Sequence, residues 1–221
     1  LALANGTGAA SNYSINSLTA EITGRPVTIS GSRLYDSTTT ADSSILTITS
    51  GVSGENLTLT GSGILGAASA GSQTITNNNT LALADGTGLA SNYTLTGATI
   101  NVTIDPRTLN VTLSREYDGT TTVSGASLTP TFDSLQGGET LALSGTGSVA
   151  SADVGSSKAV TLGTIVLAAG SGNPSNYTLN SALMDVTQRV INLDGIRAYD
   201  ATTDVLSSDI NTFGNIVSGE T

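Results

Sequence analysis

The chain has no cysteine, no histidine, no tryptophan and a single methionine. Without thiol or imidazole it carries no sulfur nucleophile, no histidine base and no ordinary zinc or copper site, which depend on nitrogen or sulfur ligands. Oxygen-bound cations such as calcium are the metal class that composition leaves open. Basic residues are also scarce, 7 against 17 acidic ones, for a formal charge of −10. Nucleic acid and anionic membrane are held chiefly by Lys and Arg, so neither is an expected partner. No apolar run reaches membrane-spanning length and no basic-then-apolar leader opens the chain, so no membrane insertion is expected of this segment. Aromatic residues amount to 4% and the acids are scattered. A glycosidase needs two facing carboxylates in a sugar-lined cleft, and no catalytic function is expected. The missing cysteines leave the compartment open.

What the chain does have is repetition. SRLYDSTTT at 32–40 returns as SREYDGTTT at 114–122 and as IRAYDATTD at 196–204. Tyr35, Tyr117 and Tyr199 are spaced by 82 residues, as are Arg33, Arg115 and Arg197, and Arg25, Arg107 and Arg189. These six are all the arginines. The other three tyrosines close the triplets Ser11-Asn12-Tyr13, Ser91-Asn92-Tyr93 and Ser175-Asn176-Tyr177. A third landmark is GENLTLTGSG at 54–63 against GETLALSGTG at 138–147, with Gly219-Glu220-Thr221 opening another copy. A fixed period with landmarks in constant order means an array of similar units. Cutting before each Arg divides the chain into the C-terminal part of a truncated repeat (1–24), two complete repeats (25–106 and 107–188) and the N-terminal part of another truncated repeat (189–221).

Alternation of apolar residues with Thr dominates, as in Leu109, Val111 and Leu113 or Ile100, Val102 and Ile104. Period two with β-branched partners predicts half-buried strands. Asn5-Gly6, Asp85-Gly86, Asp118-Gly119, Gly137-Gly138 and Gly170-Ser171-Gly172 are expected to supply the positive φ of tight turns. The expectation is an all-β chain of tandem antiparallel β-sandwich (Ig-like) repeats forming an extended rod. A sheet fold with one helix per unit is the alternative. Asp105-Pro106 joins two units almost without a linker, which predicts a stiff junction. Each unit would add on the order of 30–35 Å to the rod.

The Arg-x-Tyr-Asp cluster has two readings. Arg107, Leu109, Val111, Leu113, Arg115 and Tyr117 share one strand face, so Arg and Tyr could anchor a ligand. In the structural reading the Tyr ring is buried, its hydroxyl meets a backbone group, and Asp36, Asp118 and Asp200 accept from nearby N–H or Thr hydroxyl groups to form a turn. The structural reading is preferred, because a residue that closes each unit must be copied with it. Ser37 and Ala201 stand where Gly119 does, so the turn need not require a positive φ there. The Ser-Asn-Tyr triplets are read the same way, with Asn12, Asn92 and Asn176 bonding backbone two residues on, and Tyr13, Tyr93 and Tyr177 anchoring the next strand. Ile48, Phe132 and Phe213 mark one core position. No cofactor is expected, with calcium a minor alternative centred on Asp105, Asp118 or Asp85.

The signature R-x-Y-D-G/S/A-T-T, followed by G-E-x-L-x-L-x-G-x-G and S-N-Y, resembles the YDG-type repeats, MBG-related relatives of bacterial Ig-like modules. Such repeats occur in secreted bacterial adhesins of the filamentous haemagglutinin class. The resemblance implies a β-rich repeat of an exported surface or biofilm adhesin, extracellular or on the bacterial cell surface and secreted through an outer-membrane partner. It supplies no catalytic residues. The expected function is a structural stalk, a rod of unconnected small cores whose partners are the neighbouring repeats. The alternative is a carbohydrate-binding or self-associating adhesive module, with host or matrix glycans or other adhesin copies as partners.

Overall fold

The computed structural model describes residues 2–220. Every regular element among them is a strand or a three-residue 3-10 turn, so the all-β expectation holds and the one-helix alternative falls. The first full unit contains β1 (Arg25–Leu34), β2 (Thr40–Asp42), β3 (Leu46–Thr49), β4 (Leu57–Thr60) and β5 (Ser62–Leu65). It continues through β6 (Gly71–Gln73), β7 (Ile75–Asn77), β8 (Ala82–Asp85) and the long β9 (Tyr93–Asp105). The second contains β10 (Arg107–Glu116), β11 (Thr122–Ser124), β12 (Thr131–Phe132) and β13 (Leu141–Ser144). It closes with β14 (Thr146–Val149), β15 (Gly155–Thr161), β16 (Val166–Ala169) and β17 (Tyr177–Thr187). A short hairpin follows, β18 (Asn192–Gly195) with β19 (Ile210–Gly214).

Burial follows the alternation. In β10, Leu109, Val111 and Leu113 are buried while Thr108, Asn110, Thr112 and Ser114 face solvent. In β9 the buried residues near its end are the even-numbered Val102 and Ile104, whereas in β10 they are odd-numbered. The buried parity therefore changes at Pro106, the single residue between the two strands.

Each unit closes by pairing its first strand with its last, and that pairing is parallel: β1 with β9, β10 with β17. This corrects the expectation of purely antiparallel units. Parallel neighbours need a long crossover between them, and here the intervening strands provide it. The sheet orders are β3-β1-β9-β6 in the first unit and β11-β14-β15-β17-β10-β12 in the second. The register sets Arg25 opposite Tyr93 and Arg107 opposite Tyr177.

Three apolar clusters run along the chain. Val27, Ile29, Leu57 and Tyr93 form one inside the first unit; Val111, Leu113, Val123 and Met184 belong to another inside the second. The third is shared: Tyr35, Ala41, Leu65, Val102 and Ile104 of the first unit pack with Leu109, Leu141 and Tyr177 of the second. The cores are thus not unconnected. A single-residue connection brings the end of β9 and the start of β10 so close that their apolar faces can leave water only together.

Candidate functional site at the unit junction

The Arg-x-Tyr-Asp segment builds the end of each unit's first strand. Asp36 Oδ1 accepts from the Thr38 N–H at 2.9 Å and from its hydroxyl at 2.8 Å; Asp118 holds Thr120, and Asp200 holds Thr202, in the same way. The Arg33 guanidinium pairs with Asp36 and donates to the Thr38 carbonyl at 2.5 Å, and Arg197 repeats both contacts with Asp200 and Thr202. Arg115 pairs with Asp118 at 3.3 Å and donates to the carbonyls of Thr120 and Thr122. Burial pushes the Asp36 carboxyl up, but the Thr38 donors and Arg33 outweigh it and hold it below the usual carboxylate range. Asp118 and Asp200 are lowered too, by their Thr and Arg donors against burial. The turn expected from Asp and Thr is present.

The turn does need a left-handed residue. Ser37, Gly119 and Ala201 have φ of 64°, 73° and 64°, so Ser and Ala occupy a conformation that glycine takes without strain. The expectation that the turn need not require a positive φ is corrected: the Asp36–Thr38 bonds and the Arg33 bond to the Thr38 carbonyl hold the backbone left-handed at Ser37, and their counterparts do so at Gly119 and Ala201. Gly137 and Gly138 also have positive φ, whereas Gly6, Gly86, Gly170 and Gly172 do not. A Cβ at Gly170 would lie 2.3 Å from the Thr140 carbonyl oxygen, so close approach is the requirement there.

The tyrosine of this segment leaves its own unit. The Tyr35 hydroxyl donates to Glu139 Oε1 at 2.6 Å, and the Tyr177 hydroxyl donates to Glu139 Oε2. One carboxylate of the second unit thus joins a tyrosine of each unit. Arg107 Nε donates to the Tyr35 carbonyl at 2.8 Å, and Asn176 Oδ1 accepts from the Ala70 N–H at 2.9 Å. Burial, and then the bond to Glu139, push the Tyr35 phenol up to about 12. The arrangement recurs one unit later, where the Tyr117 hydroxyl donates to Glu220 and Arg189 donates to the Tyr117 carbonyl at 3.4 Å. In the first unit Tyr93 donates to Glu55.

Two details of the sequence reading change here. The Tyr hydroxyl meets a carboxylate of the next unit instead of a backbone group, and Asn176 bonds backbone in the other unit instead of two residues on. Tyr93 and Tyr177 do begin β9 and β17. Burial tracks company: Tyr35, Tyr93, Tyr177 and Asn176 are buried, Tyr117 is half-buried, and Asn12, Tyr13, Asn92 and Tyr199 are exposed. Of the shared core position, Ile48 and Phe132 are half-buried and Phe213 is exposed. The residues that sequence reasoning missed are Glu55, Glu139 and Glu220. Their signal was the Gly-Glu dipeptide that returns with each unit as its only acidic landmark beside Tyr-Asp.

The arrangement interlocks the two units: the Glu139 carboxylate accepts from both phenols, and the Arg107 guanidinium donates to the Tyr35 carbonyl. Asp85 Oδ1 accepts from the Ala90 N–H and Asp118 is engaged with Thr120 and Arg115, while the Asp105 carbonyl accepts from the Tyr35 N–H. These three do not converge, and among the described residues no group of three or more acidic side chains is placed to hold a cation. No helix among them is long and apolar enough to cross a membrane. A family model, YDG domain, matches residues 19–102 and 101–184 as two adjacent copies. No curated protein and no solved structure matches.

Proposed function

The chain belongs to the YDG domain family, and from that premise we propose that it is a run of structural stalk repeats in a large exported bacterial adhesin of the filamentous haemagglutinin class. In this reading the units are non-catalytic Ig-like modules that form a stiff rod outside the cell, holding a binding region away from the surface. The observation that carries it is the junction: one residue of connection, a shared apolar core, and a Tyr35–Glu139–Tyr177 clasp in place of a flexible linker. Such a joint resists bending, because any hinge motion must expose buried apolar surface. Small-angle X-ray scattering tests it. An elongated particle gaining about 30–35 Å per unit supports the rod; a particle with freely jointed units overturns it.

A second reading, a carbohydrate-binding module, draws on the outer face of the paired strands. There Thr28, Ser30 and Ser32 of β1 lie beside Thr99, Asn101 and Thr103 of β9, all exposed. Reproducible binding on a glycan array would favour it over the stalk.

A further inference from the structure

A chain under tension loads each unit where the backbone enters and leaves it. For the first unit those points are Arg25, at the start of β1, and Asp105, at the end of β9; for the second they are Arg107, at the start of β10, and Thr187, at the end of β17. Entry and exit strands are parallel neighbours, so the two points lie at opposite ends of one ladder. Arg25 stands opposite Tyr93, the first residue of β9, and Asp105 stands opposite Leu34, the last of β1. Tension therefore draws β1 back toward its start and β9 onward past its end. The strands must slide along each other, so the bonds between them are loaded together, in shear. An antiparallel closure would set entry and exit side by side at one end, where the same bonds open in turn.

Each ladder is continuous where it carries that load. Beyond one register shift near the entry, Thr28–Leu34 pair with Thr99–Asp105, and Asn110–Glu116 pair with Ser181–Thr187, seven consecutive pairs in either unit. At the exit the Tyr35 N–H donates to the Asp105 carbonyl at 2.9 Å, and the Tyr117 N–H donates to the Thr187 carbonyl at 2.9 Å. No strand of a loaded pair is an edge: β3 and β6 flank β1 and β9, while β12 and β15 flank β10 and β17. The inner face is closed by Ile29, Val102 and Ile104 in one unit and by Val111, Leu113 and Met184 in the other, all buried. Flanked and covered in this way, the bonds cannot be exchanged for water while they stretch. Pro106 alone separates β9 from β10, so load passes from unit to unit without slack.

We propose that each unit is a load-bearing element whose parallel terminal strands, β1 on β9 and β10 on β17, form a shear clamp that holds the unit folded under tension. This gives the stalk reading a mechanical task, yet it rests on the pairing inside each unit and not on the stiffness of the junction. A freely jointed particle in X-ray scattering would sink the rod and leave the clamp standing.

Single-molecule force spectroscopy of the full 221-residue chain tests it, since forced unfolding is governed by the unfolding rate and not by equilibrium stability. Held by its two termini, the chain should lengthen abruptly, by about 250 Å for each unit, the extended length of the unit less that of its ladder. The chain has no cysteine, so a pair of introduced thiols sets the points of attachment. Thr28→Cys/Thr99→Cys in the first unit and Thr108→Cys/Thr178→Cys in the second place both handles at the entry end of a ladder, on exposed positions. Each double variant should keep the parent's melting temperature. Pulled through its thiols, the unit should open at a several-fold lower force than between the termini, because the bonds then break one after another. Two pairs in separate units keep the comparison available should one variant fail to fold. Equal forces in the two directions, or a chain that lengthens gradually between its termini with no abrupt event, overturn the proposal.

Discussion

The rings of Tyr35 and Tyr177 meet edge to face, with centroids 5.3 Å apart and an interplanar angle of 77°, although they belong to different units. Their hydroxyls take the two oxygens of the Glu139 carboxylate. Edge-to-face packing, carboxylate bonding and burial all act on the same few atoms, so the joint is where substitutions should be felt most.

Tyr35→Ala should lower stability by about 3–5 kcal/mol, the range for emptying a buried aromatic site. Tyr35→Phe keeps the ring and should cost about 1–2 kcal/mol, for the lost hydroxyl bond. Tyr117→Ala, at a half-buried position, should cost less than Tyr35→Ala. Urea denaturation of the three variants checks the order.

Glu139→Ala leaves the Tyr35 and Tyr177 hydroxyls without their acceptor and should cost about 2–4 kcal/mol. The two units share a core, so they should melt together in the parent. In the variant calorimetry should show two transitions, with a van't Hoff enthalpy below the calorimetric one. A single undivided transition would mean that the shared apolar core alone couples the units.

Alkali should open the joint. The Tyr35 phenol is held at about 12 in the folded chain, against about 10 for a solvated tyrosine. Between these pH values unfolding releases its proton, so stability present below pH 10 falls as pH rises toward 12. The loss is about 3 kcal/mol. Tyr177 is also raised, first by burial and then by Glu139, and adds in the same direction. The tyrosinate absorbance of Tyr35 and Tyr177 should appear together with unfolding in the parent. In Tyr35→Phe the alkaline loss should be smaller.

Ser37→Gly should raise stability by about 0.5–1 kcal/mol, since relief of the left-handed strain at φ 64° exceeds the added entropy of an unfolded glycine. Thermal melts of parent and variant decide it, with an unchanged or lower midpoint counting against the strain argument.

Asn176→Ala removes the acceptor of the Ala70 N–H. Hydrogen exchange at Ala70 should speed up, and stability should fall by about 1–3 kcal/mol. No residue next to Asn176 in sequence should respond as strongly.

Much of this was legible in the sequence, and the boundary has a physical cause. Alternation along β10 identified Leu109, Val111 and Leu113 as core, because strand burial is a local, period-two property. The Asp118–Thr120 turn was legible for the same reason: donor and acceptor lie two residues apart. Glu139 was not, since its two phenols come from positions 35 and 177 and no local pattern ties them together. The left-handed Ser37 was hidden because residue type only biases φ, while Asp36 and Arg33 impose it here. The parallel closure of β1 on β9 was hidden because alternation reveals a strand and its faces but not the direction of its neighbour.

The pairing of β1 with β9 and of β10 with β17 also dictates an order of events. A unit's first strand has its permanent neighbour about 70 residues further along, so the native contact order is high and folding slow by comparison with hairpin-built domains. In a chain that emerges from one end, such a unit stays open until nearly all of it is out. Tyr35 then finds Glu139 only after the first 33 residues of the next unit have followed. Each unit is therefore completed by its successor, and assembly of the array runs in one direction like the teeth of a zip.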